Sequence, residues 1–144
     1  MKLVKLFIVL SFFLNAGLLE NTAHARSPAE VTKDLVKAAD TAVLAYKETG
    51  MSGLIIKTQE CYEQNTKNLF YCVYIDLASR RIDQVFVESM NFPPNEFFSD
   101  EQFGSRVVPV LASANMNMDV SNKYLMIVTP EINSLVEKKL YQSP

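Results

Sequence analysis

Downstream of residue 25 the chain contains no histidine, no tryptophan and only three glycines, at positions 50, 53 and 104. Histidine is the usual general base near neutral pH and the commonest metal ligand. Its absence excludes Ser-His-Asp and Cys-His relays and histidine-based zinc sites. The missing tryptophan removes a favoured stacking surface for sugars and bases. Three scattered glycines exclude a phosphate-cradling loop. Beyond Arg26 no stretch is long and apolar enough to span a bilayer. The basic residues are dispersed, without the basic excess on one face that a nucleic-acid binder carries. No catalytic residue, metal site or cofactor is expected, and carboxylate, lysine or tyrosine chemistry is all that remains open to an enzyme.

What is present begins with an address. Lys2 and Lys5 precede an apolar run from Leu6 to Leu19, and Ala23-His24-Ala25 then supplies small residues at the two positions a signal peptidase inspects. Residues 1–25 read as a secretory signal peptide cleaved before Arg26, which places the remainder in the periplasm or outside the cell. The run is shorter than the roughly 20 apolar residues of a membrane anchor. No cysteine near the cut invites a lipid. Residues 26–144 are then one domain of ordinary size. Of the 14 basic and 16 acidic residues, Lys2, Lys5 and Glu20 go with the leader, leaving a mild net charge near −3.

Cys61 and Cys72 are the only cysteines, and in an oxidising compartment an even count predicts a bond. Closing so short a loop contributes on the order of 3 kcal/mol. The spacing is not Cys-x-x-Cys and no histidine is present to activate a thiol, so the bridge is read as structural rather than redox-active.

The pattern along the chain is helical. Ser27-Pro28-Ala29-Glu30 is a complete capping box with proline at the first helical position. Val31, Leu35, Ala38, Ala39, Ala42, Val43 and Tyr46 follow at spacings of three and four. Gly50 is placed to end this helix in a left-handed conformation. Ser52 then caps a second, shorter helix through Cys61 and Tyr62, and Asn65 to Asn68 is a turn. From Leu69 to Met90 the signals conflict: Phe70 to Ile75 are strand-favouring types, while Cys72, Ile75, Ala78, Ser79, Ile82, Val85, Phe86 and Ser89 keep a helical stripe. Length favours a helix. Phe92-Pro93-Pro94-Asn95 breaks it, and an aromatic connector runs on to Phe98. Ser99 caps a further helix that contains Pro109. After the turn at Asn115 to Asp119, Tyr124 to Val128 is ambiguous, and Thr129-Pro130-Glu131 opens a last helix ending in Lys138 and Lys139. The fold expected is all-α, a single compact domain of about five helices with one disulfide. The alternative is α+β with a short strand near Phe70–Ile75.

Few residues suggest a site. Asn115, Asn117, Asp119 and Ser121 are spaced like the opening of a calcium loop. Val120 stands where that loop needs glycine and Met126 where it needs a bidentate glutamate, so a polar turn is the better account. Asp76, Asp83 and Glu88 with Arg80 and Arg81 make the third helix rich in both charges, which reads as an exposed face of weak ion pairs. Phe92, Phe97 and Phe98 either plug the core or line a binding loop.

With neither relay nor cofactor motif, the surface is the chain's main chemical asset. The function expected is that of an exported, non-catalytic protein-binding domain, an inhibitor or immunity protein that occludes a secreted toxin or a cell-wall enzyme. The partner is another protein, with neither nucleic acid nor membrane involved. Arg80, Arg81, Phe92, Phe97 and Phe98 are the candidate contact residues, since arginine and aromatic side chains carry most interface energy. The alternatives are a periplasmic carrier or chaperone with an apolar groove, for which Met116 and Met118 offer adaptable surface, and a histidine-free hydrolase working through a carboxylate pair.

Overall fold

Among the described residues the chain folds through four α-helices whose starts are written in side-chain caps. A computed structural model describes residues 26–142, so the expected leader, residues 1–25, lies outside the described residues. Helix α1 spans Pro28–Gln64, α2 Leu69–Met90, α3 Asp100–Ser113 and α4 Met118–Tyr141, with a single 3-10 turn at Glu96–Phe98. At the start of α1 the Ser27 hydroxyl accepts from the Glu30 N–H while the Glu30 carboxylate accepts from the Ser27 N–H, so two otherwise unpaired donors are satisfied reciprocally. Asn68, Ser99 and Asn117 cap α2, α3 and α4 by the same principle. The all-α expectation holds, and no strand is present among the described residues.

Two boundaries differ from the sequence expectation. The first and second expected helices are one, α1, bent at Gly50, whose φ of 66° and ψ of −149° only glycine adopts readily. The bend is closed by a second glycine. A Cβ at Gly53 would collide with the Ala45 carbonyl and the Thr49 side chain, so the two halves of α1 approach more closely there than any side chain allows. The last helix begins at Met118 rather than Pro130, and Tyr124 to Val128 is helical within it. A proline inside a helix frees the carbonyl four residues earlier. For Pro130 that carbonyl belongs to Met126, an exposed residue, so the lost bond lies on the solvent side of the helix rather than in the core. Pro109, inside α3, frees the carbonyl of exposed Ser105 in the same way.

Helix α2 is the axis of the fold. It packs against α1, α3 and α4, and every residue from Cys72 to Ser79 is buried. A helix buried all round carries apolar residues on every face, which explains why Phe70 to Ile75 also reads as a strand. The core clusters Leu35, Leu54, Tyr74, Ile82, Leu111 and Ile132 around it. Cys61 and Cys72 are bonded across the α1–α2 turn, with their Cα atoms 5.4 Å apart. Among the described residues no helix is long and apolar enough to cross a membrane.

Candidate functional site

Two acidic side chains of α2, Asp76 and Asp83, lie beneath the surface, and they meet different surroundings. Asp76 is fully buried. Arg106 of α3 donates to both its oxygens, from Nε at 2.8 Å and from a terminal nitrogen at 3.0 Å, and the Tyr62 hydroxyl donates at 3.3 Å. The same guanidinium donates to the Phe97 carbonyl at 2.9 Å and lies 4.0 Å from the centre of the Phe97 ring. Burial pushes the Asp76 carboxyl above the ordinary carboxylate range, against the pull of Arg106 and the Tyr62 hydroxyl. Burial and the neighbouring carboxylate raise the Tyr62 phenol. With both oxygens occupied by a guanidinium fork, this cluster is a strut that ties α3 and the connector to α2.

Asp83, two turns further along, meets a groove. Asn91 ends α2 in a left-handed conformation (φ 55°), and the connector then doubles back beside the last turns of the helix. This brings the Asn95 N–H to Asp83, where it is shared between the two carboxylate oxygens at 3.3 and 3.2 Å. The Asn95 side chain meanwhile accepts from the Phe97 N–H and starts the 3-10 turn. Across from the connector, the Gly50 bend sets Tyr46 and Met51 of α1 against the end of α2, and the Tyr46 and Phe86 rings pack with centroids 4.7 Å apart. The space enclosed is a groove of about 520 Å³ whose lining includes Tyr46, Phe86, Met90, Phe92, Asp83 and Glu96. Burial pushes the Asp83 carboxyl up, opposed by the Asn95 N–H and by Arg80, and burial also raises the Tyr46 phenol.

The candidate contact residues are dispersed by the fold. Phe92 is 59 % exposed at the mouth of the groove. Phe98 is buried in the core and Phe97 lies partly covered beneath Arg106. Arg80 packs its guanidinium 4.3 Å from the Phe103 ring centre and pairs with Asp100. Arg81 reaches Glu137 at 2.8 Å and Glu88 at 3.2 Å, joining α2 to α4. The exposed charged face expected on this helix is corrected at Asp76 and Asp83. Their partners, Arg106 and Asn95, come from distant segments and leave no trace in the helix's own spacing. Asn117, in the rejected calcium spacing, is the cap of α4, and Ser121 donates to the Met116 carbonyl.

Sequence reasoning missed Tyr46, Phe86, Met90 and Glu96 as groove residues. The available signal was an aspartate pair seven residues apart on one helix, the second of them shortly before a proline-rich connector. Helix α4 also leaves the apolar side chains of Val120, Met126 and Ile127 exposed. Comparison of the chain with protein-family models, curated proteins and solved structures finds no match in any of the three.

Proposed function

We propose that the chain is an exported, non-catalytic protein-binding domain, an inhibitor or immunity protein that occludes a secreted toxin or a cell-wall enzyme, and that it does so with the groove end of α2. The observation that carries this reading is the connector. Phe92, Pro93 and Pro94 stay exposed beside Met90, over a groove floored by Phe86 and Tyr46. Exposed aromatic side chains beside a preformed concavity are the usual anchors of a protein interface. Arg80 and Arg81 then act from behind, holding α3 and α4 in place through Asp100 and Glu137. The disulfide and the leader pattern support export.

The test is capture from periplasmic and secreted fractions on the immobilised, oxidised protein, followed by affinity measurement with Phe92→Ala. One stoichiometric protein partner is expected, with its activity suppressed on binding. Phe92→Ala should weaken the complex about 30-fold, the equivalent of an anchor of about 2 kcal/mol. A blank capture, or a partner indifferent to Phe92→Ala, overturns the reading.

One observation favours a second reading. Asp83 and Glu96 line the same groove, and a buried acid sharing a groove with a second carboxylate is the equipment of a glycoside hydrolase. Release of soluble fragments from purified cell wall, abolished by Asp83→Asn, would establish it in place of the first.

A further inference from the structure

We propose that the groove recognises a cation, and that its occupant is an arginine side chain carried on an apolar loop of the protein partner. The inference rests on the protein-binding reading above and specifies the chemistry of the same surface. Three features carry it.

The first is charge. The carboxylates lining the groove, Asp83 and Glu96, meet no basic lining residue. The guanidinium whose charge acts on Asp83, that of Arg80, packs on the Phe103 ring and pairs with Asp100.

The second is an unfilled valence. A carboxylate can accept about four hydrogen bonds, and Asp83, 7 % exposed, accepts from a single backbone N–H shared between its two oxygens. Asp76, on the same helix, has both oxygens filled by a guanidinium. At Asp83 the guanidinium has to come from outside.

The third is the wall. Three aromatic residues, Tyr46, Phe86 and Phe92, line the same groove as the carboxylates. Aromatic faces attract cations, and arginine most readily because its flat, weakly hydrated head stacks on a ring while its nitrogens bond a carboxylate. The apolar character of Met90, Phe92, Pro93 and Pro94 at the mouth asks for an apolar flank on either side of the charge.

The experiment titrates the full oxidised protein with two blocked pentapeptides, Leu-Phe-Arg-Phe-Leu and its citrulline counterpart, which keeps the shape and loses the charge. Amide and side-chain chemical shifts report the place of binding. The arginine peptide should perturb Tyr46, Asp83, Phe86, Phe92 and Glu96, and the citrulline peptide should bind at least tenfold more weakly. Asp83→Asn should remove that tenfold preference while leaving the circular dichroism and melting profile of the native fold in place. Equal affinity for the two peptides, shifts centred on α4, or a preference that survives in Asp83→Asn would each overturn the proposal. The two readings fail separately. A captured partner that binds wild type and Asp83→Asn equally sinks the cation site and leaves the protein-binding function standing. Charge-selective peptide binding with no captured partner sinks the function and keeps the site.

Discussion

Asp76 and Asp83 are seven residues apart on one helix, both are buried, and burial raises both carboxyls. They are nevertheless different kinds of residue. Asp76 is closed: a guanidinium fork, a phenol and full burial leave it nothing further to bind. Asp83 is open: one shared N–H on one side, an aromatic groove on the other. A buried acid is therefore not by itself a sign of function. What separates strut from site is how many of its acceptor positions the fold has already filled, and the sharpest tests are those that treat the two ends of α2 unequally.

The largest effect is expected at the closed end. Arg106→Met keeps the length of the side chain and removes its charge, leaving Asp76 buried with only the Tyr62 hydroxyl. Breaking a buried pair from one side costs about 3–5 kcal/mol, a large share of the stability of a domain this size. Urea unfolding should show it, and Asp76→Asn placed in the same chain should recover part of the loss by removing the orphaned charge. A cost below about 1 kcal/mol, the range of an exposed pair, would erase the distinction between the two aspartates.

Next comes the bridge, which also sits at the end of α2 remote from the groove. Reducing it, or replacing Cys61 and Cys72 with alanine, restores the loop's freedom to the unfolded chain and should cost about 3 kcal/mol. Binding at the groove by the fraction still folded should be unchanged. A loss of binding larger than the loss of folded protein would mean that the two ends of α2 are not independent.

Gly50→Ala is expected to fall below these. Nothing lies within 4 Å of the Cβ it would add, so the cost is that of the backbone conformation alone, about 1–3 kcal/mol. Because the bend positions Tyr46 and Met51, arginine-peptide affinity should fall together with melting temperature. Loss of stability without loss of affinity would detach the groove from the kink.

Much of this fold was legible in the chain because helix starts are local. The Ser27–Glu30 box, the Asn65–Asn68 turn and the Ser99 cap each lie within four residues, and each is found where its spacing places it. The disulfide was legible by counting. Gly50 was read correctly as a positive-φ position and wrongly as a left-handed helix end, since sequence shows that a residue can turn the chain but not whether the helix resumes beyond it. The groove was not legible. It joins Tyr46, Asp83 and Phe92 from three segments, and only Phe92 announces itself, through the prolines that follow. The contrast between Asp76 and Asp83 depends wholly on Arg106 and Asn95, whose approach is a product of tertiary packing.

The smallest effect on stability, and the most informative, is expected from Asp83→Asn. The amide keeps an oxygen to accept from the Asn95 N–H and drops the charge that burial disfavours. A carboxyl whose folded pKa lies above its unfolded value, about 3.9, binds its proton more tightly in the folded chain. Its contribution to stability therefore declines as pH rises from that unfolded value through the raised folded one, and is level beyond. Asp76 contributes a decline of the same sign, so the variant removes one of two. Unfolding followed from pH 3 to pH 8 should give Asp83→Asn a shallower fall than wild type and a stability at pH 7 equal to or above it. The same variant should lose the preference for the charged peptide. A residue whose removal leaves the fold as firm or firmer while weakening a ligand is held at a cost to stability for what it binds. If instead Asp83→Asn melts early, the shared N–H is a strut after all, and Asp83 belongs with Asp76.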